Sequence, residues 1–357
     1  MNFKFIKGDL KDTFDYTPDN LFHELSDNLS ETKKLIDQYP HIWDKVKKNI
    51  HLFEYVYTSS YLNKNISYFQ PISRSYFKLK EILYDYNIDL INNQITSLAE
   101  APGGFIQCLL EYFKNDIQIN AITLLSENKK IPRWNRKLIN HKQIYFQYGS
   151  LNNGDLYDLT NVLSMIKIIN KNKCSLITGD GGFDNSGDYN NQEYNSLKLI
   201  YSEIFLALNI QEKNGTFICK IFDCFLKETI SLLYILYLSY DEVFIHKPLM
   251  SRLSNSEKYI ICKGYKGYNK DIINLLVHHY DKNDLNLKIP KSFINQIYQF
   301  NNDYTNEQIK HIKKGIHLIE SDTIDQNPSQ EQIKNAIYWC EKYNTPINDK
   351  CFYLNKF

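Results

Sequence analysis

The chain has 357 residues with 42 Lys and Arg against 41 Asp and Glu, so its formal charge of +1 provides no global field for nucleic acid, and any basic path must be local. A hydrophobic content of 43% is ample for one large domain with extensions, or for two domains. The seven cysteines are odd in number, scattered and free of any Cys-x-x-Cys, which argues against a disulfide framework or zinc site and for buried thiols in a reducing compartment.

Met1-Asn2-Phe3-Lys4 carries charge too early for a signal peptide, and the longest apolar run, residues 230–238, is far below the ~20 residues of a membrane span. A soluble protein is expected. No His-Glu-x-x-His occurs, His278-His279 reads as helix surface, and no metal site is expected.

Residues 1–65 read as a mostly helical extension covering one face of the core. Asp27, Asn28 and Ser30 with Glu31 offer caps, and Leu35, Ile42, Trp43, Val46 and Ile50 recur at roughly helical spacing. Residues 72–83 suit an amphipathic helix with Phe77, Ile82 and Leu83 inward and Arg74, Lys78 and Lys80 on a solvated face. From 94 to about 264, β-runs at 95–98, 119–124, 144–148, 175–178, 216–220, 242–245 and 259–262 alternate with helical segments, among them 105–113, 194–210 and 226–238. That order predicts an α/β fold with a mainly parallel, doubly wound sheet, whose ligands sit at the carboxyl ends of the strands. After about 268 the chain is again helical and polar. A good amphipathic helix runs through Gln332, Trp339 and Tyr343 to Asn344-Thr345-Pro346.

At the end of the first β-run stands Ser97-Leu98-Ala99-Glu100-Ala101-Pro102-Gly103-Gly104-Phe105, followed by the helical pattern Phe105, Leu109, Leu110, Phe113. Glycines in such a turn let backbone N–H groups approach a ligand, and a helix N-terminus favours negative charge. The turn is neither Gly-x-Gly-x-x-Gly nor a P-loop, which argues against dinucleotides and NTP hydrolysis. Four charged residues keep it company: Asp180 and Lys220 end two strands, Glu257 precedes the last, and Lys78 lies upstream of the first. Singly, each is an ordinary surface charge. Together, around a glycine-rich loop, they point to chemistry.

Several blocks carry a family resemblance in collinear order from about 70 to 265: Ser73-Arg74-Ser75-Tyr76-Phe77-Lys78-Leu79, Ala101 to Phe105, Gly154-Asp155-Leu156 and Asp180-Gly181-Gly182-Phe183. They continue with Gly215-Thr216-Phe217-Ile218-Cys219-Lys220-Ile221-Phe222-Asp223, Lys247-Pro248, Ser251-Arg252, Asn255-Ser256-Glu257-Lys258-Tyr259 and Cys262-Lys263-Gly264. The sequence resembles the FtsJ-like ribose 2′-O-methyltransferases, and among them the eukaryotic and large-DNA-virus enzymes that methylate the mRNA cap. The resemblance implies a Rossmann-like sheet, mostly parallel with the last strand antiparallel, and a division into a helical N-terminal extension (1–65), a catalytic domain (66–268) and a helical C-terminal extension (269–357).

It further implies S-adenosylmethionine as methyl donor, held along Glu100, Ala101, Pro102, Gly103, Gly104 and Phe105, with Asp155 on the adenine and backbone near Leu124 and Leu125 on the ribose. Where bacterial rRNA members have an Asp near the start of this motif the chain has Ser97, and Glu100 is the acid expected at the donor's amino group. The catalytic tetrad implied is Lys78, Asp180, Lys220 and Glu257. Burial beside Lys78 is expected to push Lys220 toward neutrality, with Asp180 and Glu257 limiting the shift, so that Lys220 accepts the ribose proton or steers the hydroxyl.

The substrate implied is the capped 5′ end of mRNA, a single strand requiring basic and aromatic contacts. Candidates are Arg74, Lys80, Arg133, Trp134, Arg136, Lys247 and Arg252, with Phe183 and Tyr189 facing the cap. Capping or transcription machinery is the partner class; neither membrane nor DNA is expected, and the compartment is intracellular, cytoplasm or viral factory before nucleus. Open alternatives are an rRNA or tRNA ribose methyltransferase, a non-catalytic RNA-binding subunit on the same fold and, more remotely, a small-molecule methyltransferase.

Overall fold

The computed structural model describes residues 1–8, 13–14, 21–114, 117–182, 190–282, 284–325 and 327–354. The chain begins with β1 (Asn2–Lys4), β2 (Thr13–Phe14), α1 (His23–Asp37), α2 (Pro40–Asn49) and α3 (Ser75–Asp85). The alternating region holds β3 (Gln94–Leu98), α4 (Gly104–Phe113), β4 (Gln118–Ala121), α5 (Arg136–Ile139), β5 (Ile144–Phe146), α6 (Leu159–Ile169) and β6 (Cys174–Gly179). It continues through α7 (Gln192–Ile210), β7 (Gln211–Ile221), α8 (Lys227–Ser239), β8 (Tyr240–His246) and β9 (Lys258–Tyr265). The chain then adds α9 (Lys270–His278), β10 (Ile289–Pro290), α10 (Lys291–Glu320) and α11 (Gln330–Lys342).

Eight strands form one sheet in the order β1-β8-β9-β7-β6-β3-β4-β5. From β5 to β7 every pairing is parallel, and β9 runs antiparallel to both β7 and β8. The expected fold class is therefore observed, last strand included. Successive strand residues point to opposite faces, and the two cores divide accordingly. Ile177, Phe217, Cys219, Ile260 and Cys262 pack under α6 to α10, whereas Ile95, Leu176, Ile218, Tyr259 and Ile261 pack under α3, α4, α5 and α11. With both faces covered, the central strands read as continuous apolar runs, which is why sequence located them.

Differences from the expected elements have local causes. The run at 119–124 is a strand only to Ala121. Ile122 still donates to Ser97 O of β3 at 2.9 Å and accepts from Glu100 N, beyond the end of β3, at 3.4 Å. The first residues, read as part of a helical extension, instead add β1 as an edge strand, with Asn2 opposite His246.

The terminal helices are joined to this frame. Trp43, Val46 and Ile50 of the α2 region pack with Ile36 of α1 and with Ile312 and Ile316 of α10. Gly315 permits that approach, since a Cβ there would lie 2.7 Å from the Trp43 ring. Fully buried Glu81 of α3 accepts from Leu249 N at 2.6 Å, Met250 N at 2.8 Å and the Trp339 indole of α11 at 2.8 Å. Burial pushes the Glu81 pKa up to about 7 against the pull of those donors. No described helix is long and apolar enough to cross a membrane.

Candidate functional site

Strand ends and one helix bring the four charged residues together. Asp180 follows β6 directly, and its N–H donates to Leu98 O of the neighbouring strand at 3.3 Å. Lys220 lies at the end of β7, opposite Tyr259 of antiparallel β9. Glu257 precedes β9, and Lys78 comes from the first turns of α3. Lys78 Nζ lies 2.7 Å from the Glu257 carboxylate. Lys220 Nζ donates to Asp180 O at 2.8 Å and lies 3.3 Å from Asp180 Oδ1. Two further hydroxyls complete the group: Tyr259 donates to Asp180 Oδ1 and Ser251 to Glu257 Oε1, each at 2.8 Å.

Electrostatics couple the two pairs. Burial acts to raise the Glu257 pKa, but Lys78 and Lys220 outweigh it and bring it down to about 2. Burial acts to lower the Lys220 pKa, but Asp180 and Glu257 prevail and leave it above the ordinary lysine value. This corrects the expectation that Lys220 is driven toward neutrality: two carboxylates outweigh burial. Burial first, then Asp180, pushes the Tyr259 phenol well above its usual range, so it remains a donor.

The Gly-rich turn differs in detail from its sequence reading. Ala101-Pro102 is a cis peptide, and Gly103 has φ +112°. A Cβ on Gly103 would lie 2.1 Å from Leu138, and one on Gly104 would lie 2.1 Å from Ser73 Oγ, so both glycines are required by packing of α4 on its neighbours. The first amides of α4 are already engaged: Phe105 N and Ile106 N donate to Glu100 at 2.7 and 3.2 Å. Glu100 is 2% exposed, and burial and Asp180 push its pKa well above the carboxylate range. The free N–H groups that a helix N-terminus presents are thus satisfied by the chain's own carboxyl oxygens. Phe105 is fully buried, with its ring 5.8 Å from that of Tyr259.

At the carboxyl end of β4, Leu124 and Leu125 are exposed, and Leu125 N donates to Asn153 O at 2.7 Å, bringing this segment against the loop of Asp155. Asp155 is half-buried and accepts from Tyr157 N at 2.8 Å. Exposed apolar side chains beside a carboxylate and the Glu100–Gly104 turn suit an adenosine-type donor with a charged tail. Among the described residues no His, Cys, Asp and Glu grouping could hold a metal ion.

The expected RNA contacts separate into two groups. Arg74 and Arg252 both meet Glu54, itself fully buried, at 3.4 and 2.9 Å, and Arg74 also donates to Tyr57 O and Met250 O. Lys80 Nζ donates to Thr345 Oγ1 at 2.9 Å, and Lys247 Nζ to Asn255 O and Glu257 O at 2.6 and 2.8 Å. Trp134 is 8% exposed and packs on Phe146 with ring centres 5.2 Å apart. The four cations among these have interior partners, whereas Trp134 and Phe146 also line the cleft of Arg133 and Arg136. Arg133 and Arg136 are exposed and line a 700 Å³ cleft with Leu125, Phe146 and Tyr148. Phe183 and Tyr189 lie outside the described residues. Sequence reasoning missed Glu54, the counter-ion of two arginines, and singled out Tyr259 only as a motif member; an acid in a short 3-10 turn carries no distinguishing local pattern.

Over 276 residues, 71% of this chain and 33% of the relative, the chain is 28% identical to the Mus musculus protein named cap-specific mRNA (nucleoside-2′-O-)-methyltransferase 1. The Homo sapiens protein of that name is 27% identical over 302 residues, 79% of this chain and 35% of the relative. The chain thus spans about a third of the length of the curated relatives it matches. A solved Plasmodium falciparum structure described as a putative ribosomal RNA methyltransferase is 24% identical, covering 55% of this chain and 98% of that one with a TM-score of 0.41. FtsJ-like and cap methyltransferases generally use S-adenosylmethionine. Residues 71–265, more than half of the sequence, match the FtsJ-like methyltransferase family, and the chain belongs to it.

Proposed function

We propose that this protein transfers a methyl group from S-adenosylmethionine to the ribose 2′-hydroxyl of the first transcribed nucleotide of capped mRNA. The observation that carries the reading is the pairing of Lys220 with Asp180 and of Lys78 with Glu257 at the carboxyl ends of β6 and β7. The names borne by the relatives supply the cap. When bound, the donor supplies a methyl sulfonium that is already a strong electrophile.

What remains for the protein is to orient a weakly nucleophilic oxygen and manage its proton. Held as a cation by Asp180 and Glu257, Lys220 directs an N–H toward that oxygen and fixes its orientation, leaving a lone pair aimed at the methyl carbon. Methylation makes the oxygen far more acidic, so the proton needs only an acceptor of ordinary basicity, and Asp180 is the carboxylate paired with Lys220. Lys78 keeps Glu257 ionised, and Ser251 fixes that carboxylate's orientation. Glu100, Asp155 and backbone near Leu124 are the proposed donor contacts. Arg133 and Arg136 are the exposed cations for the RNA strand. The boundaries 66–268 for the catalytic domain, with helical extensions on both sides, belong to the same reading, as does assembly with capping machinery.

Radiolabelled donor offered with short capped and uncapped RNAs tests it. Label is expected on capped RNA alone, with the first internucleotide linkage becoming alkali-resistant. Equal rates on both RNAs would defeat the cap assignment, and no transfer to either would defeat the enzymatic one.

A further inference from the structure

Glu203 of α7 has no place in the scheme above, yet it is completely buried directly behind the Asp180 turn. A Cβ on Gly179 would lie 3.0 Å from both its Cδ and Oε1, and a Cβ on Gly181 would lie 2.7 Å from Oε1. The same carboxyl accepts from the Cys219 thiol at 3.1 Å through Oε2. It therefore touches both residues that flank Asp180 and the residue that precedes Lys220. Oε1 has no hydrogen-bond partner among the described residues.

A carboxylate buried beside a thiol and the Gly181 backbone N–H is costly to ionise, whereas the protonated acid is an uncharged group of the same shape. Burial raises the Glu203 pKa to about 8, with Cys219, Lys220 and the Gly181 backbone N–H opposing and Asp180 adding to the rise. The other titratable group facing it is Tyr157, whose phenol burial and then Glu203 push up to about 12. If ionised, Glu203 would be a third negative charge around Lys220, drawing that ammonium away from Asp180 and Glu257 and repelling Asp180.

We propose that Glu203 is a positioning residue for methyl transfer: an uncharged carboxyl that braces the Gly179–Gly181 turn from behind and so holds Asp180 between Lys220 and Tyr259. The role rests on the catalytic reading above, but the protonation state can be measured without it. Unfolded glutamate ionises near pH 4.3, so the folded protein retains a proton that the unfolded chain has lost from there up to about pH 8, and stability falls with rising pH across that window.

Glu203→Gln keeps shape and cannot ionise; Glu203→Leu keeps burial and loses the polar brace. Melting temperatures from about pH 5 to about pH 9 should show Glu203→Gln gaining on wild type as pH rises, with the gap constant once Glu203 has ionised. At neutral pH Glu203→Gln should keep the wild-type kcat, and lose the wild-type decline in alkali. Glu203→Leu should lower kcat about 10- to 100-fold with KM for donor and RNA unchanged, as expected of a small misplacement. A melting gap independent of pH, a Glu203→Gln enzyme as impaired as Glu203→Leu, or wild-type kcat in Glu203→Leu would overturn the proposal. Absence of methyl transfer in the wild type would overturn the positioning role through the catalytic reading, and the melting series would still report whether the acid is neutral.

Discussion

Two clusters of lysine and carboxylate adjoin the carboxyl end of β7, and the proposed function assigns chemistry to only one. At Asp223 a single carboxylate takes Lys33 of α1 at 2.8 Å, Lys258 at 3.3 Å and the Ser256 hydroxyl at 2.8 Å. Gln308 of α10 reaches Ser256 at 3.2 Å, so the cluster clamps both terminal extensions to the start of β9. Both Asp223 oxygens are engaged, and the charged side chains are 5–10% exposed. In the tetrad each acid has its own lysine and the exposure is 13–15%. An ammonium has three N–H donors, and among the described residues those of Lys78 meet only Glu257 and those of Lys220 only Asp180. Buried charge by itself does not identify a reaction centre. Under the proposed function, the unspent donors of Lys78 and Lys220 are the difference that counts.

The sharpest way to test this contrast is to remove one member from each cluster. Lys220→Ala should reduce methyl transfer about 10³-fold with little change in melting temperature; a protein that melts far lower but reacts normally would invert the assignment. Asp223→Ala should do the opposite first. It removes the carboxylate shared by Lys33 and Lys258, a loss of about 3–5 kcal/mol by denaturant unfolding, and a variant as stable as wild type would break the clamp reading. The smallest effect concerns acid. Glu257 has its pKa depressed to about 2, so it contributes stability that is complete above the unfolded value of about 4.3 and is lost as pH falls toward 2. Glu257→Gln should lack that limb in an acid titration followed by circular dichroism, and an unchanged acid limb would show that another carboxylate carries it.

The central strands were legible because burial on both faces leaves an apolar run that needs no knowledge of partners, and Asp180 and Lys220 stood out as charges ending such runs. The three residues of β1 were not legible: Asn2, Phe3 and Lys4 form a strand only because β8, more than two hundred residues away, offers its edge. The same holds for charge. Arg74 and Arg252 resemble RNA contacts in sequence because nothing local announces Glu54. The direction of the Lys220 shift depends on which of two opposing fields is stronger, and that is decided by distances, not by residue types.

The bond from the Trp339 indole to Glu81 has a practical consequence. Excising residues 71–265 as a minimal enzyme would discard Trp339 while keeping Glu81, whose other donors come from the backbone on which Ser251 sits. Water would enter where the indole had been, the acid would gain a new hydration shell, and the carboxyl that holds the loop before Ser251 would lose one of its three donors. A trimmed fragment is therefore expected to be a poorer catalyst than its complete set of motifs suggests.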